Sequence, residues 1–223
     1  MKKFLIATLL CVAMTATMVP MAFAVDTNSK NYASCMAAIS EQKQVQAQAH
    51  EAAESLRRQG YSDSHAYIQA AKQTWNAAQA EIKGYQKLSK YSDEDIRVLA
   101  TMVYYEAGTT TEQLRQYVAQ VAMNRVASSR FPNTVVGVIT QRGQYSGNYA
   151  SKTATDAIKS KDAKNGTYYY AMCENSVKQA MMGRVSMPAN VVFQANFTQG
   201  KGVWKSVYYS SGSFASTSYF CYG

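Results

Sequence analysis

Histidine is nearly absent from this chain of 223 residues, and its 2 histidines, His50 and His65, both lie in the first third. Zinc amidases and metallopeptidases need His-rich ligand sets, and Ser or Cys peptidases of the triad type need a His base. These chemistries are therefore excluded from the rest of the chain. We expect no metal site there and no cofactor.

Proline is also scarce, with 3 in the chain and none in residues 25–90. That stretch is rich in Ala, Gln, Glu and Lys and has one break at Gly60. The pattern predicts a helix from Asn31 to Arg58, then a second that begins after a cap at Ser62–Ser64 and ends near Gly84. We interpret residues 25–90 as an α-helical hairpin whose thin, Ala-rich core is typical of a spacer or weak self-association element.

Long apolar runs are missing except at the N-terminus. There the basic Lys2 and Lys3 precede an apolar run over residues 4–19, and Ala22-Phe23-Ala24 forms an A-x-A cleavage site. We interpret residues 1–24 as a signal peptide cleaved after Ala24. The apolar run is short for a bilayer span. We therefore expect a protein secreted to the cell wall or cell surface, with no stable membrane insertion after signal removal.

Acidic residues are in the minority, 14 against 23 Lys and Arg, which gives a formal net charge of +9. Such a balance favours an anionic partner. In an exported protein, a cell-wall polymer fits that description better than nucleic acid. The chain has no long basic run or nucleic-acid motif, so we expect no nucleic-acid partner.

Cysteine is sparse too. Outside the signal peptide there are three: Cys35, Cys173 and Cys221. An odd number in an exported protein allows one disulfide with one thiol left over. We predict the pair Cys173–Cys221, which would tie the chain end to a preceding segment. Pairing of Cys35 between chains, or three reduced thiols, are the alternatives.

From about Tyr91 the composition shifts toward Tyr, Val, Gly and Ser, which marks a second domain over residues 91–223. A capping box at Thr109 and Glu112 predicts a helix with an inward stripe at three apolar positions, Leu114, Val118 and Val121. Val135–Ile139 is a short apolar segment, and 177–182 predicts a turn or two of helix. Two segments, 191–193 and 203–209, are β-like and predict a hairpin. The domain is therefore expected to be α+β.

Of the domain's carboxylates, Glu106 alone has an apolar sequence setting. It ends the run SDEDIRVLATMVYYEAG, in which Ser92 is a credible N-cap and Gly108 a stop signal. At about 100° per residue, Glu106 falls on the edge of the stripe formed by Ile96, Leu99 and Val103. An apolar setting favours the protonated, proton-donating form of a carboxyl. The alternative is a boundary Glu that reaches water or caps a backbone group.

One protonated Glu beside a Gly/Gln/Tyr loop and many tyrosines suggests glycoside cleavage, since aromatic faces stack on sugars and amides read hydroxyl and acetamido groups. Ordinary glycosidases use two carboxylates. A lytic transglycosylase needs one, because a hydroxyl of the substrate attacks the anomeric carbon and the same Glu serves as acid and then as base.

Two runs, LATMVYYEAG and AQVAMNRVASSRFPNTVVGVITQRGQYS, resemble the SleB/CwlJ-type cell-wall hydrolase domain of spore cortex-lytic enzymes. That family carries a Tyr-x-Glu-Ala core, an Asn-Arg-Val with a following Phe-Pro, a Val-Ile and a Gly-Gln-Phe-Ser loop, in the same order. The resemblance covers roughly residues 92–223.

The resemblance implies a lysozyme-like (lytic-transglycosylase-like) α+β fold, peptidoglycan as substrate and Glu106 as the catalytic acid. By matching position, it also implies that three loop residues line the glycan groove opposite Glu106 and that two others support it: Gln144, Tyr145 and Ser146, and Tyr104 and Asn124.

The chain departs from the family pattern at several positions. Tyr105 stands where Ala is common, Gly108 where Arg is common, and Tyr145 replaces Phe. Near the end, Ser218 precedes an aromatic pair where the family often has His. These changes leave the acid intact and concern subsite preference, including any preference for spore-cortex glycan.

We therefore expect an exported enzyme that cleaves peptidoglycan between N-acetylmuramic acid and N-acetylglucosamine, as a lytic transglycosylase. A hydrolytic muramidase, an N-acetylmuramoyl-L-alanine amidase and a non-catalytic wall-binding protein are the alternatives. The family's association with the spore cortex makes germination one candidate role.

Overall fold

The computed structural model describes residues 31–145, 148–160, 164–211 and 214–223. The signal peptide predicted for residues 1–24 and the candidate site residue Ser146 lie outside these ranges. The chain divides into two compact units, one ending at Lys90 and the other running from Tyr91 to Gly223.

The first unit is an antiparallel pair of helices, α1 (Asn31–Arg58) and α2 (Ala66–Leu88). The side-chain amide of Asn31, at the start of α1, donates to the carbonyl of Leu88, at the end of α2, at 2.8 Å. Small side chains bring the helices close, and the core near the turn consists of Ala53, Leu56, Ile68 and Ala71. The bounds of α1 are those predicted from the sequence.

The predicted bounds of α2 are wrong at both ends. His65 is its N-cap, with its Nδ1 accepting from the amide of Tyr67. The helix continues through Gly84, because Gly84, Tyr85 and Leu88 are all buried and their packing outweighs the weak helix propensity of glycine. None of the described helices is long and apolar enough to cross a membrane.

The second unit begins with helices and ends with a small sheet. Its helices are α3 (Asp93–Ala107), α4 (Glu112–Ala127), α5 (Val135–Thr140), α6 (Ala154–Ser160) and α7 (Gly166–Met181), with a 3₁₀ turn at Tyr149–Ser151; its strands are β1 (Val191–Ala195), β2 (Val203–Ser211) and β3 (Phe214–Tyr222). This is the α+β architecture expected from the sequence.

Helix α3 is the centre of this unit. It packs against α4, α5, α6 and α7, and nine of its residues are buried. Ser92 and Asp95 form a reciprocal capping box at its start, in which each side chain accepts from the other residue's amide at 3.0 Å. Such a cap contributes about 1 kcal/mol. The predicted cap and the predicted stop at Gly108 both match the observed helix.

Helix α4 begins two residues later than predicted. Thr111 is its N-cap, because the Thr111 hydroxyl accepts from the amide of Leu114 at 3.3 Å. Thr109, the predicted cap, instead places its hydroxyl 3.3 Å from the phenol oxygen of Tyr209. The predicted inward stripe is correct, since Leu114, Val118 and Val121 are all buried.

The sheet is antiparallel with β3 in the centre, in the order β1-β3-β2. The predicted hairpin between the segments at 191–193 and 203–209 is therefore wrong. These two strands lie on opposite edges, and β3, which the sequence pattern did not reveal, pairs with both. Phe220 of β3 anchors the sheet on the helices, with its ring 5.3 Å from that of Tyr117.

Candidate active site

Glu106 lies in the last turn of α3, with its side chain exposed. The expected apolar setting is therefore wrong. Leu99, Val103 and Ala107 form the buried stripe, and Glu106 projects from beside it at the point where the helix ends. The carboxylate is fixed by a hydrogen bond instead, which the phenol of Tyr149 donates to Oε1 at 2.8 Å.

Tyr149 is itself held firmly, being only 3% exposed. It opens the 3₁₀ turn Tyr149–Ser151, and the Arg97 guanidinium of α3 donates to the carbonyls that follow it, Ala150 at 2.7 Å and Lys152. Arg97 also pairs with Glu94 at 2.6 Å, and that pairing lowers the pKa of the Glu94 carboxyl. Two elements that are distant in sequence are thus joined immediately beside Glu106.

Tyr105 adds an aromatic and cationic wall on the same side. Its ring centroid is 5.3 Å from that of Tyr149, and the Lys152 ammonium sits 4.4 Å from the centre of the Tyr105 ring. The ammonium also donates to the Tyr105 hydroxyl at 3.2 Å. Tyr105, which stands where the family commonly has Ala, is therefore the centre of this cluster.

Two clefts meet at Glu106. The first has a volume of about 410 Å³ and is lined by the end of α3, the loop after it and Tyr209. The second has about 560 Å³ and is lined from the opposite side by Gln144, Tyr145 and the residues around the end of β1. Glu106, Ser216 and Ser218 line both clefts. A chain-like ligand that fills both would pass directly over the carboxylate.

The second cleft has a buried cation in its wall. Arg125 is 4% exposed, donates from Nε to the carbonyl of Val192 at 2.7 Å, and lies 5.3 Å below the ring of Tyr145. Burial lowers the pKa of Arg125. Burial raises the pKa of the Tyr145 phenol, against the opposing effect of Arg125, and the negative charge of Glu106 raises it further.

Two of the predicted substrate-binding residues, Gln144 and Tyr145, therefore lie in a cleft with Glu106. Asn124 does not, because its buried amide donates to the carbonyls of Pro188 and Val191, both at 2.9 Å, and so holds the start of β1. Tyr104 is 2% exposed and packs on Tyr170 in the core. These two side chains are structural rather than ligand-facing.

Sequence reasoning missed Tyr149 and the two serines of β3. Tyr149 lies 43 residues after Glu106, and no local pattern links them. The serines did carry a signal, since Ser216 and Ser218 are spaced by two and must share one face of a strand. Ser218 also stands where the family often has His, and that departure could have directed attention to it.

The predicted Cys173–Cys221 disulfide is not formed in the structure, in which the three cysteines of the described residues are buried thiols. Cys173 lies on α7 beside Tyr104 and Tyr170, whose pKa values are raised chiefly by burial and further by this thiol. Cys221 is in β3, opposite Phe193 and Val203. The two residues thus belong to different layers. Among the described residues, no group of three or more His, Cys, Asp or Glu could hold a metal ion.

Comparisons with known proteins show what the second unit is similar to. Residues 110–213, which lie within the second unit, match the family model described as Cell Wall Hydrolase. The match begins after Glu106. Within that family the similarity is to the SleB type, as the sequence motifs led us to expect.

Two spore cortex-lytic enzymes of Bacillus cereus are 33% identical to this chain over 99 residues, which is 40% of this chain and 38% of theirs. The chain thus spans under two fifths of the length of these relatives. Among solved structures, the catalytic domain of the Bacillus cereus SleB protein aligns with 59% of this chain and 91% of that domain, at 24% identity and a TM-score of 0.40.

Proposed function

We propose that this protein cleaves the glycan strands of peptidoglycan between N-acetylmuramic acid and N-acetylglucosamine, as a lytic transglycosylase with Glu106 as general acid and base. One observation carries the proposal: Glu106 is the carboxylate shared by two adjoining clefts. The similarity to spore cortex-lytic enzymes supports peptidoglycan as the substrate.

The reaction needs one carboxyl group that first gives and then takes a proton. Glu106 protonates the glycosidic oxygen as the bond from that oxygen to C1 of N-acetylmuramic acid breaks. The resulting carboxylate removes the proton from the C6 hydroxyl of the same sugar, whose oxygen bonds to C1 and leaves a 1,6-anhydro end. The protonated Glu106 is thereby regenerated, and no water is consumed.

The residues around Glu106 suit this cycle. Tyr149 binds one carboxylate oxygen, which fixes the carboxylate and leaves Oε2 for the substrate. Among the described residues lining the two clefts, Glu106 is the sole carboxylate. An inverting or retaining hydrolase of the usual kind uses a second one.

A hydrolytic muramidase is the second candidate, because the hydroxyls of Ser216 and Ser218 beside Glu106 could hold an attacking water. An amidase is disfavoured by the lack of histidine in the second unit. A non-catalytic wall-binding protein would bind sacculi and release nothing.

We also propose that the protein is exported and acts at the cell wall. We further propose that it self-associates through α1 and α2, which a measurement of its oligomeric state tests.

Mass spectrometry of muropeptides released from purified sacculi distinguishes these candidates. We expect products with 1,6-anhydro ends; products heavier by one water would establish the muramidase, and released peptide stems the amidase. Glu106→Gln should lower the rate by at least about 10²-fold, since general acid catalysis contributes that much. Glu112→Gln, which changes an exposed carboxylate of α4 in the same way, is the control and should retain full activity. An active Glu106→Gln variant would overturn the proposal.

A further inference from the structure

The second cleft contains aromatic and polar side chains that have no part in the proton transfers proposed for Glu106. Its wall at the end of β1 is formed by Gln194, Asn196 and Phe197, none of which the sequence analysis singled out. Across the cleft stand Gln144 and Tyr145. Amides on both sides and two aromatic rings make up most of this surface.

Strand register explains why these groups converge. Gln194 pairs with Phe220, so its side chain lies on the same sheet face as that of Phe220. Ser216 and Ser218 continue this face along β3 because strand residues alternate. Asn196 and Phe197 follow in the bend after β1. The face is anchored by Phe220 on Tyr117 at one end and leads to Glu106 at the other.

Phe197 is 61% exposed although its ring belongs to the cleft wall. An exposed aromatic face beside amide groups is a suitable surface for a sugar, since the ring stacks on the sugar's C–H face while amides bind hydroxyl and acetamido groups. In the described part of the chain, the side chains of Gln144, Gln194 and Asn196 make no hydrogen bond to protein. Their donors and acceptors are therefore available to a ligand.

The charge of the cleft wall restricts which sugars can bind there. The buried Arg125 guanidinium lies in the same wall, and its Nη1 has no hydrogen-bond partner among the described residues. Its positive charge is therefore incompletely neutralised by the protein. A neutral acetamido group is tolerated next to Arg125, whereas the ammonium of an N-deacetylated amino sugar is repelled by it. Glu106, in the same cleft, attracts an ammonium, so the selection depends on the acetamido group lying nearer to Arg125 than to Glu106.

We propose that Phe197, Gln194 and Asn196 form a sugar subsite next to Glu106 that selects an N-acetylated residue over its N-deacetylated counterpart. Phe197 supplies the stacking platform, the two amides bind the acetamido group, and Arg125 disfavours a cationic sugar. The inference rests on the proposed function, because it assumes that the clefts hold a glycan.

The test is steady-state kinetics of the full chain on three glycan preparations: N-acetylated, enzymatically N-deacetylated, and chemically re-acetylated. The unaltered protein should prefer the N-acetylated and re-acetylated forms. Phe197→Ala should raise KM for these by roughly tenfold with kcat little changed, as expected when one central contact residue is truncated. Phe197→Trp should restore most of the affinity. Asn196→Ala should reduce the preference for N-acetylated glycan.

Tyr168→Ala is the matched control, because Tyr168 on α7 is as exposed as Phe197, at 62%, and is absent from the lining of both clefts. It should leave KM unchanged. Equal KM values for Phe197→Ala and Tyr168→Ala, or equal rates on acetylated and deacetylated glycan, would overturn the subsite. These outcomes are separable from the proposed function, which is tested by the activity of Glu106→Gln and by the masses of the released products.

Discussion

At the scale of single residues, the contact that decides how Glu106 can act is its hydrogen bond from Tyr149. An exposed glutamate at the end of a helix samples several rotamers, and general acid catalysis requires a defined approach to the substrate oxygen. A buried phenol 2.8 Å from one carboxylate oxygen removes most of that freedom. Tyr149 is therefore a positioning residue, acting through Glu106.

We predict that Tyr149→Phe lowers kcat by roughly 10- to 100-fold, because small misplacements of a catalytic group have effects of this size. KM should be little changed, since Tyr149 is absent from the lining of both clefts. Phe fills the same volume, so the melting temperature should fall only slightly. Michaelis–Menten kinetics on soluble glycan together with thermal unfolding make the measurement.

Tyr170→Phe provides the comparison. Tyr170 is also a buried tyrosine, and its hydroxyl contacts the Thr101 hydroxyl at 3.1 Å and the Arg97 carbonyl at 3.3 Å rather than Glu106. Both variants lose a buried hydroxyl, but only Tyr149→Phe loses the hydrogen bond to Glu106. Equal kcat values for the two variants would remove the positioning role of Tyr149.

The sequence led to Glu106 and to the loop at Gln144 and Tyr145, because short motifs carry that information locally. It missed Tyr149, Gln194 and Phe197 because each reaches the site through the fold. It also misjudged the setting of Glu106. Helical periodicity gives the direction in which a side chain points but not what lies opposite, and here two clefts lie opposite the end of α3.

At the scale of elements, the 3₁₀ turn Tyr149–Ser151 depends on α3 for its position. Arg97 of α3 donates to the carbonyls of Ala150 and Lys152, and hydrogen bonds from a charged donor contribute about 1.5–3 kcal/mol each to stability. Through this link the helix that carries Glu106 also places the tyrosine that holds it.

Arg97→Met should therefore lower the free energy of unfolding by about 3 kcal/mol, the low end of the sum for two such bonds because Arg97 is partly exposed, and reduce kcat in the same direction as Tyr149→Phe. The effects of the two changes on kcat should be less than additive, because both act on the same contact. A double-mutant cycle in kcat, with denaturant unfolding alongside, measures this. Fully additive effects on kcat would show that Arg97 acts independently of Tyr149.

Glu94→Gln serves as the control for this cycle. It removes the carboxylate that pairs with Arg97 and leaves both carbonyl bonds in place. Because the pair is partly exposed, the loss should be below about 1 kcal/mol. Activity should be retained.

The sequence patterns missed those elements whose residues have a secondary-structure propensity different from the structure they adopt. Three successive tyrosines, 168–170, favour a strand by propensity, yet they lie in α7. Burial of Tyr170, Cys173 and Val177 at helical spacing outweighs that preference. Strand β3 is rich in small polar residues and has little apolar alternation, and its pairing with two neighbours stabilises it.

At the scale of the whole molecule, the α+β architecture was predictable from the order of apolar patterns, with helices before strands. The order of strands within the sheet was not. The order of helices and strands along the chain follows from local apolar patterns. The order of strands in the sheet depends instead on which strand edges remain unpaired after the helices have packed, and no local sequence pattern indicates this. The +9 charge bears on partners rather than on fold.

The tyrosines give the molecule a distinctive response to alkali. Burial raises the pKa of Tyr104, Tyr145 and Tyr170 above the ordinary tyrosine value of about 10. The folded state therefore binds these protons more tightly than the unfolded state does. Their contribution to stability is complete below pH of about 10 and is lost as the pH rises through the folded-state pKa values.

We predict that the free energy of unfolding falls with a steepening slope above pH of about 10, and that Tyr170→Phe makes this slope shallower. Tyr208→Phe, which alters a tyrosine that is 67% exposed, should leave the slope unchanged. Urea unfolding at a series of pH values measures how the free energy of unfolding changes with pH. Tyrosinate absorbance of the folded protein measures the ionisation of its tyrosines over the same range. Identical slopes for Tyr170→Phe and the unaltered protein would mean that the buried phenol titrates alike in the folded and unfolded states.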